Sequence, residues 1–368
     1  MSTWILRMDA PGTGPTVAIK DLIDVAATPT TAACAALAAV AEPAARDAAC
    51  LAGIRAADAA IVGKTNLHEL ACGGTGVNAA FGTPVNPFDL ACIPGGSSSG
   101  NAVALANHEV DIAIGTDTAG SIRTPSACCG TVGLKTTWGR IPVAGVWPLA
   151  PSLDTIGPMA RDVAGVVAGM ALLEPGFTAG TVAPRIGRVR LPNVDPAIDA
   201  AVDAVLATSG LDVIDVVLPG WDAAGQAGWE VMFHEVWQAD GHLYEQDRAH
   251  LGVDIRERLE QGRSVTDATY QAARARRAVW RAELTAAFVR SPVLAWPTIA
   301  MFPPRIDAPV PNTRRTNLAV NHAGHPSLAL PVPTDGRFPA SLQLVGPDFT
   351  EQDLCATGLL LEAAAATL

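Results

Sequence analysis

The chain is short of charge, and the charge it has leans one way. Only 17% of its 368 residues are Asp, Glu, Lys or Arg, against 49% apolar, and the formal net charge is −11. So small a charged fraction excludes a globally disordered chain and leaves enough apolar side chains for a sizeable core. The acidic balance excludes a nucleic-acid binder, which needs a basic face. Long hydrophobic runs are missing too: the Ala32–Ala41 stretch is too short to span a membrane and ends at Glu42 and Pro43. Met1-Ser2-Thr3-Trp4-Ile5-Leu6-Arg7 has neither the basic start nor the apolar core of a secretory signal. Seven cysteines (Cys34, Cys50, Cys72, Cys92, Cys128, Cys129 and Cys355) are scattered, with no CxxC pair, so free thiols in a reducing cytoplasm are expected. The seven histidines have no HExxH-like spacing, so neither a metal nor any other cofactor is expected. Neither a repeat nor a low-complexity linker divides the chain, and one domain over residues 1–368 is the simpler expectation.

What is present is an alternation of short apolar runs and helical patterns. Strands are expected at Thr16–Ile19, Ala59–Gly63, Asp111–Ile114, Ile186–Leu191, Leu211–Leu218, Val293–Trp296, Leu328–Val332 and Ala340–Val345. Helices are expected at Pro43–Ala57, Asn101–Asn107, Arg161–Leu173, Pro196–Thr208, Asp222–Glu245, Thr266–Val289 and Glu351–Ala366, with Thr65-Asn66 capping another from Leu67 to Cys72. Such alternation implies an α/β fold with a largely covered sheet.

Two glycine-flanked stretches stand out: Pro94-Gly95-Gly96-Ser97-Ser98-Ser99-Gly100 and Gly115-Thr116-Asp117-Thr118-Ala119-Gly120-Ser121-Ile122-Arg123. Hydroxyls and loop backbone are costly to bury unsatisfied, so two such loops joined by an apolar segment suggest hydroxyls gathered for chemistry. Alone, the first is only a polar glycine loop, and Lys20 alone is a surface lysine.

The first half of the chain resembles the amidase signature family of serine hydrolases. The likeness rests on Val17–Asp21, Val62–Asn66, Phe81-Gly82-Thr83 with Asn86-Pro87, Gly95–Gly100 and Gly115–Arg123, leading to Gly130 and Gly133-Leu134-Lys135. It resumes at Pro297-Thr298, Ala323-Gly324-His325-Pro326 and Leu342-Gln343-Leu344-Val345-Gly346. The resemblance implies a single-domain fold, a mixed β-sheet with helices on both sides, and a Ser–cis-Ser–Lys triad. Ser121 falls on the nucleophile, Ser97 on the bridging serine in a cis peptide, and Lys20 on the base. Each fits its part: a hydroxyl attacks well only when a base takes its proton, a lysine is a base only when neutral, and a second hydroxyl both donates and accepts. Backbone N–H groups of Thr118, Ala119, Gly120 and Ser121 are expected to form the oxyanion hole. Asp117, Arg123 and Ser98 are supporting residues, the first two as orienting groups; Ser98, Ser99 and Ser126 are expected to hydrogen-bond loop backbone.

Several residues are decoys. Asp58–Thr65 misses a P-loop because Asp58, which would repel phosphate, stands where the first glycine belongs, and Lys64 is read as scaffold. His68-Glu69 reads as a helix start, and Cys128-Cys129 as small apolar filler. His234 and His242 lie on a Trp-rich stretch whose simplest role is core packing, with a substrate-pocket wall as the alternative. Lys20 comes earlier than in many relatives, and the segment between Leu173 and Pro297 carries little family text. Ala27 stands where the family often has glycine. The function implied is a cytoplasmic amidohydrolase cleaving a small carboxamide to acid and ammonia or amine through a Ser121 acyl-enzyme. The alternatives are the glutaminase (A-type) subunit of an amidotransferase and an ester or carbamate hydrolase. The expected partners are a small-molecule amide substrate and a second copy in a homodimer, not nucleic acid or membrane.

Overall fold

The computed structural model describes residues 2–9, 12–308 and 316–368. In chain order its strands are β1 (Trp4–Arg7), β2 (Thr16–Lys20), β3 (Ala60–Thr65), β4 (Ile112–Asp117), β5 (Val132–Lys135), β6 (Thr155–Ala160), β7 (Arg185–Val189), β8 (Asp212–Val216), β9 (Val293–Pro297), β10 (Ser327–Val332) and β11 (Ala340–Val345). The helices are α1 (Ala35–Ala38), α2 (Ala52–Ala56), α3 (Ser99–Ala106), α4 (Arg123–Cys129), α5 (Val163–Leu173), α6 (Pro196–Thr208), α7 (Trp221–Asp247), α8 (Val253–Ser264), α9 (Asp267–Arg290), α10 (Leu318–Ala323) and α11 (Glu351–Ala365). All strands join one 11-stranded sheet in the order β1-β3-β2-β4-β6-β5-β10-β11-β9-β7-β8. Its pairing is mixed: β2 runs parallel to β3 and β4, and β7 to β8 and β9, while the other pairs are antiparallel. Helices cover both faces. Side chains of α2, α5, α6 and α11 share the largest apolar cluster with one face, and α3 and α4 pack on Ala18 and Ala113 of the other.

The expected strands and the longer helices are present, α6 and β11 with the predicted bounds. The differences have local causes. Strand β6 is central although it holds Gly157 and Pro158, residues that argue against a central strand. A Cβ at Gly157 would lie 1.9 Å from the Leu134 carbonyl oxygen, so only glycine allows that approach. Of the helix expected over Pro43–Ala57 only α2 forms, after a 3₁₀ turn at Ala49–Leu51. No α-helix follows Asn66, because Leu70 and Ala71 take φ of 53° and 54° and only a 3₁₀ turn at Glu69–Ala71 remains. The Asn66 side chain instead ties the Leu67 N–H to the carbonyls of Ser2 and Gly82. Ala27 sits at φ 64°, the region glycine enters most easily. All seven cysteines are buried and none is in a disulfide. Among the described residues, no helix is long and apolar enough to cross a membrane.

Candidate active site

Parallel pairing brings the carboxyl ends of β2 and β4 to one edge of the sheet, where Lys20 and Asp117 are the last strand residues. Along β2, Val17 and Ile19 enter the large cluster on one face, and Ala18 enters the cluster beneath α3 and α4. Two residues on, Lys20 shares the side of Ala18. Its Nζ lies 2.7 Å from Ser97 Oγ and 2.8 Å from Thr116 Oγ1. The Gly96–Ser97 peptide is cis. The Ser98 N–H donates to the Ser121 carbonyl at 3.1 Å, binding the two serine loops together, and Ser98 Oγ donates to the Thr116 carbonyl at 3.4 Å. Lys20 and Ser97 are sealed at 0% exposure, whereas Ser121 keeps 3%. The fold thus brings the Ser97 and Ser121 loops together beside Lys20.

Asp117 organises the second loop from within. Its carboxylate accepts from the Gly120 N–H at 2.8 Å and the Ile122 N–H at 3.1 Å, and pairs with Arg123 Nε at 3.0 Å and Nη2 at 2.9 Å. Burial opposes its charge, but Arg123 and the Asn321 amide overcome it and hold the carboxyl well below the usual range. Arg123 also donates to Gln343 Oε1 at 2.6 Å and Asn321 Oδ1 at 2.5 Å. Asp117 and Arg123 thus tie the backbone of the loop to α10 and β11.

The Gly120 N–H is the exception to the four oxyanion donors expected: Asp117 occupies it. Gly120 instead supplies a φ of 106°, and a Cβ there would stand 2.8 Å from Cβ and Nδ2 of Asn317. We expect Gly120→Ala to cut kcat at least about tenfold and to lower Tm, through both backbone strain and that contact. Unchanged kcat in a folded variant would show that the loop tolerates displacement.

A third segment holds the loop from outside. Thr118 Oγ1 donates to Asp154 Oδ1 at 2.6 Å, and Asp154 also accepts from the N–H groups of Leu149 and Ala150. At the start of that segment the Trp147 indole donates to Asp240 Oδ1 at 3.0 Å. Burial pushes the Asp240 carboxyl up to about 8, against the Trp147 hydrogen bond and with help from the charge of Asp154. An acid whose folded pKa lies above its unfolded value near 3.8 contributes stability that is fully present below about pH 4 and is lost as pH rises through 8. Asp240→Asn should flatten that slope, raising Tm more at pH 8 than at pH 5. Parallel Tm–pH curves for variant and wild type would refute the assignment.

Lys64 belongs elsewhere. A register shift after Val17 sets Lys64 beside Ile19, whose side chain joins the opposite face from the one Lys20 serves. Its Nζ lies 2.7 Å from Asp21 Oδ1, both side chains at 0% exposure, and it donates to the Pro29 carbonyl and Thr30 Oγ1. Ser98 does bond loop backbone, but Ser99 Oγ and Ser126 Oγ are buried without a hydrogen-bond partner, against expectation. His68 bonds Asp254 at 2.9 Å, and His325 bonds Asp348 at 2.6 Å. Cys128 and Cys129 fill the end of α4.

Sequence reasoning missed Thr116, Asp154, Asn317 and Asn321, and assigned Gln343 no role. Thr116 and Gln343 lie inside strings already singled out, which was a usable signal. Asn317 and Asn321 sit at a six-residue helix too short to show a period, and no sequence signal marks them.

A family model described as Amidase matches residues 9–175 and 179–355. The chain is 35% identical to the 2-amino-5-chloromuconic acid deaminase of Comamonas testosteroni, over 82% of this chain and 71% of that one. It is 32% identical to the A-type subunit of the glutamyl-tRNA(Gln) amidotransferase of Symbiobacterium thermophilum, over 94% of this chain and 81% of that one. Among solved structures it resembles a crystallised amidase with a TM-score of 0.89 at 27% identity, covering 95% of this chain and 84% of the other. With this match over most of its length and this architecture, the chain belongs to the amidase family and is an enzyme acting on amide C–N bonds.

Proposed function

We propose that the chain hydrolyses a small carboxamide through an acyl-enzyme on Ser121. Neutral Lys20 takes a proton from Ser97 as Ser97 takes one from Ser121, and Ser121 Oγ forms a bond to the carbonyl carbon. N–H groups of Thr118, Ala119 and Ser121 hold the oxyanion, with Gly120 shaping the turn. When the tetrahedral intermediate collapses, the C–N bond breaks and Ser97 returns the proton to the leaving nitrogen. Water then enters by the same relay and releases the acid. The observation that carries this reading is the buried Lys20–Ser97 contact at 2.7 Å, with the Ser121 loop bound to the Ser97 loop through the Ser98 N–H. One continuous sheet supports a single amidase domain over residues 1–368, and seven cysteines outside any disulfide support a cytoplasmic setting.

A second reading, the glutaminase component of an amidotransferase, is favoured by the likeness to an amidotransferase A-type subunit across most of the chain. The two separate in one assay. Purified chain alone, offered aliphatic, aryl and urea-type amides, releases ammonia or amine under the first reading. Silence on that panel, with glutamine turnover appearing only when partner subunits are added, would favour the second. Parallel esters and carbamates test the remaining substrate classes.

A further inference from the structure

Behind the segment that carries Asp154 lies a pocket the proposed chemistry does not use, with a volume of about 440 Å³, within the range of small-molecule sites. Its walls are flat and apolar. His234 and Tyr270 stack with ring centres 4.1 Å apart and planes at 14°, Pro148, Pro151 and Ala239 add apolar wall, and Gln238 adds an uncharged amide. The one acid in the lining is already engaged: Glu235 accepts from the Tyr270 hydroxyl at 2.8 Å and from the Ser152 N–H at 2.8 Å. Asp267, 3.7 Å from His234 Nε2, stands in solvent at 94% exposure.

The charge facing the opening is positive. Arg274, one helical turn from Tyr270 on α9, is exposed, lies 5.5 Å over the Tyr270 ring, and has no acidic partner among the described residues. Arg277, the next turn along, donates to the Ser152 carbonyl at 3.1 Å. A planar ring with an acidic substituent matches both features: the ring meets the aromatic and proline walls, and the acid meets a guanidinium whose fork fits a carboxylate. A cationic ligand would face Arg274 and find no available carboxylate.

We propose that this pocket binds a small planar carboxylate, ring on the His234–Tyr270 wall and acid on Arg274. Its occupant lies against Pro148, Pro151 and Ser152, in the segment that also holds Thr118 through Asp154. Such a carboxylate has two sources: the end of the amide substrate remote from the bond cleaved, or a separate effector. Binding rests on the pocket alone, while any link to turnover rests on the role given to Thr118.

The test is titration of the intact chain with benzoate by calorimetry. Saturable binding is expected, weakened about tenfold in Arg274→Ala and in Tyr270→Ala, with Arg274→Lys in between because it keeps the charge and loses the fork. Repeating it after sulfonyl fluoride has modified Ser121 separates the sources: binding kept identifies an effector site, binding lost identifies the distal end of the substrate. No saturation by about 10 mM, or equal binding in wild type, Arg274→Ala and Tyr270→Ala, overturns the proposal. Failure of Ser121 to be modified would count against the catalytic reading and leave the benzoate titration standing.

Discussion

Replacing Ser121 with alanine lowers the rate of amide hydrolysis by about 10⁴-fold or more and leaves the melting temperature within a degree or two of wild type. On the proposed mechanism the change removes the oxygen that forms the acyl bond. The proposed oxyanion donors are backbone N–H groups that the change leaves in place, so a residual rate above that in water is expected. Stability holds because Ser121 is held through its backbone: its carbonyl accepts from Ser98, and its loop hangs on Asp117 and Arg123. The measurement is kcat on the best amide of the panel beside a thermal melt. Activity within tenfold of wild type would remove Ser121 from the mechanism.

Two of the three buried lysines, Lys20 and Lys64, should fail in opposite ways. Lys20→Ala is expected to cost about 10³-fold or more in kcat with a smaller loss of stability, because it deletes the proposed proton acceptor, whose Nζ contacts Ser97. Lys64→Ala leaves Asp21 buried without its cation, a defect of about 3–5 kcal/mol, so Tm falls by several degrees. Per folded molecule, Lys64→Ala retains more activity than Lys20→Ala. The comparison needs active-site titration, so that loss of folded protein is not read as loss of catalysis. A reversed ranking would make Lys64 the base and invert the assignment of the two sheet faces.

How much of this was readable in the chain depends on what kind of contact fixed each part. The strand bearing Lys20 and the two serine loops were legible because glycine, serine and apolar alternation are local signals. That Lys20 and Lys64 point to opposite faces was not legible, since it depends on a register shift between β2 and β3 that neither strand announces. Central β6 was hidden by Gly157 and Pro158, whose tolerance comes from neighbours distant in sequence. The bracing of the nucleophile loop joins residues far apart in the chain, from Arg123 to Gln343 across 220 positions and from Arg123 to Asn321 across 198. Gly120 was rightly marked as a turn, but its N–H was misassigned because the Asp117 carboxylate that takes it lies only three residues away and looked like a mere flank. Local chemistry showed in the sequence, and its three-dimensional supports did not.

The residue that carries the acyl group decides the mechanism. Wild-type chain mixed with a slowly deacylated amide or ester, quenched in acid and digested, is predicted to carry the acyl mass on the peptide containing Ser121, and Ser121→Ala none. Acyl mass on Ser97 or another residue, or turnover with no acylated peptide under conditions that trap it, would contradict the mechanism.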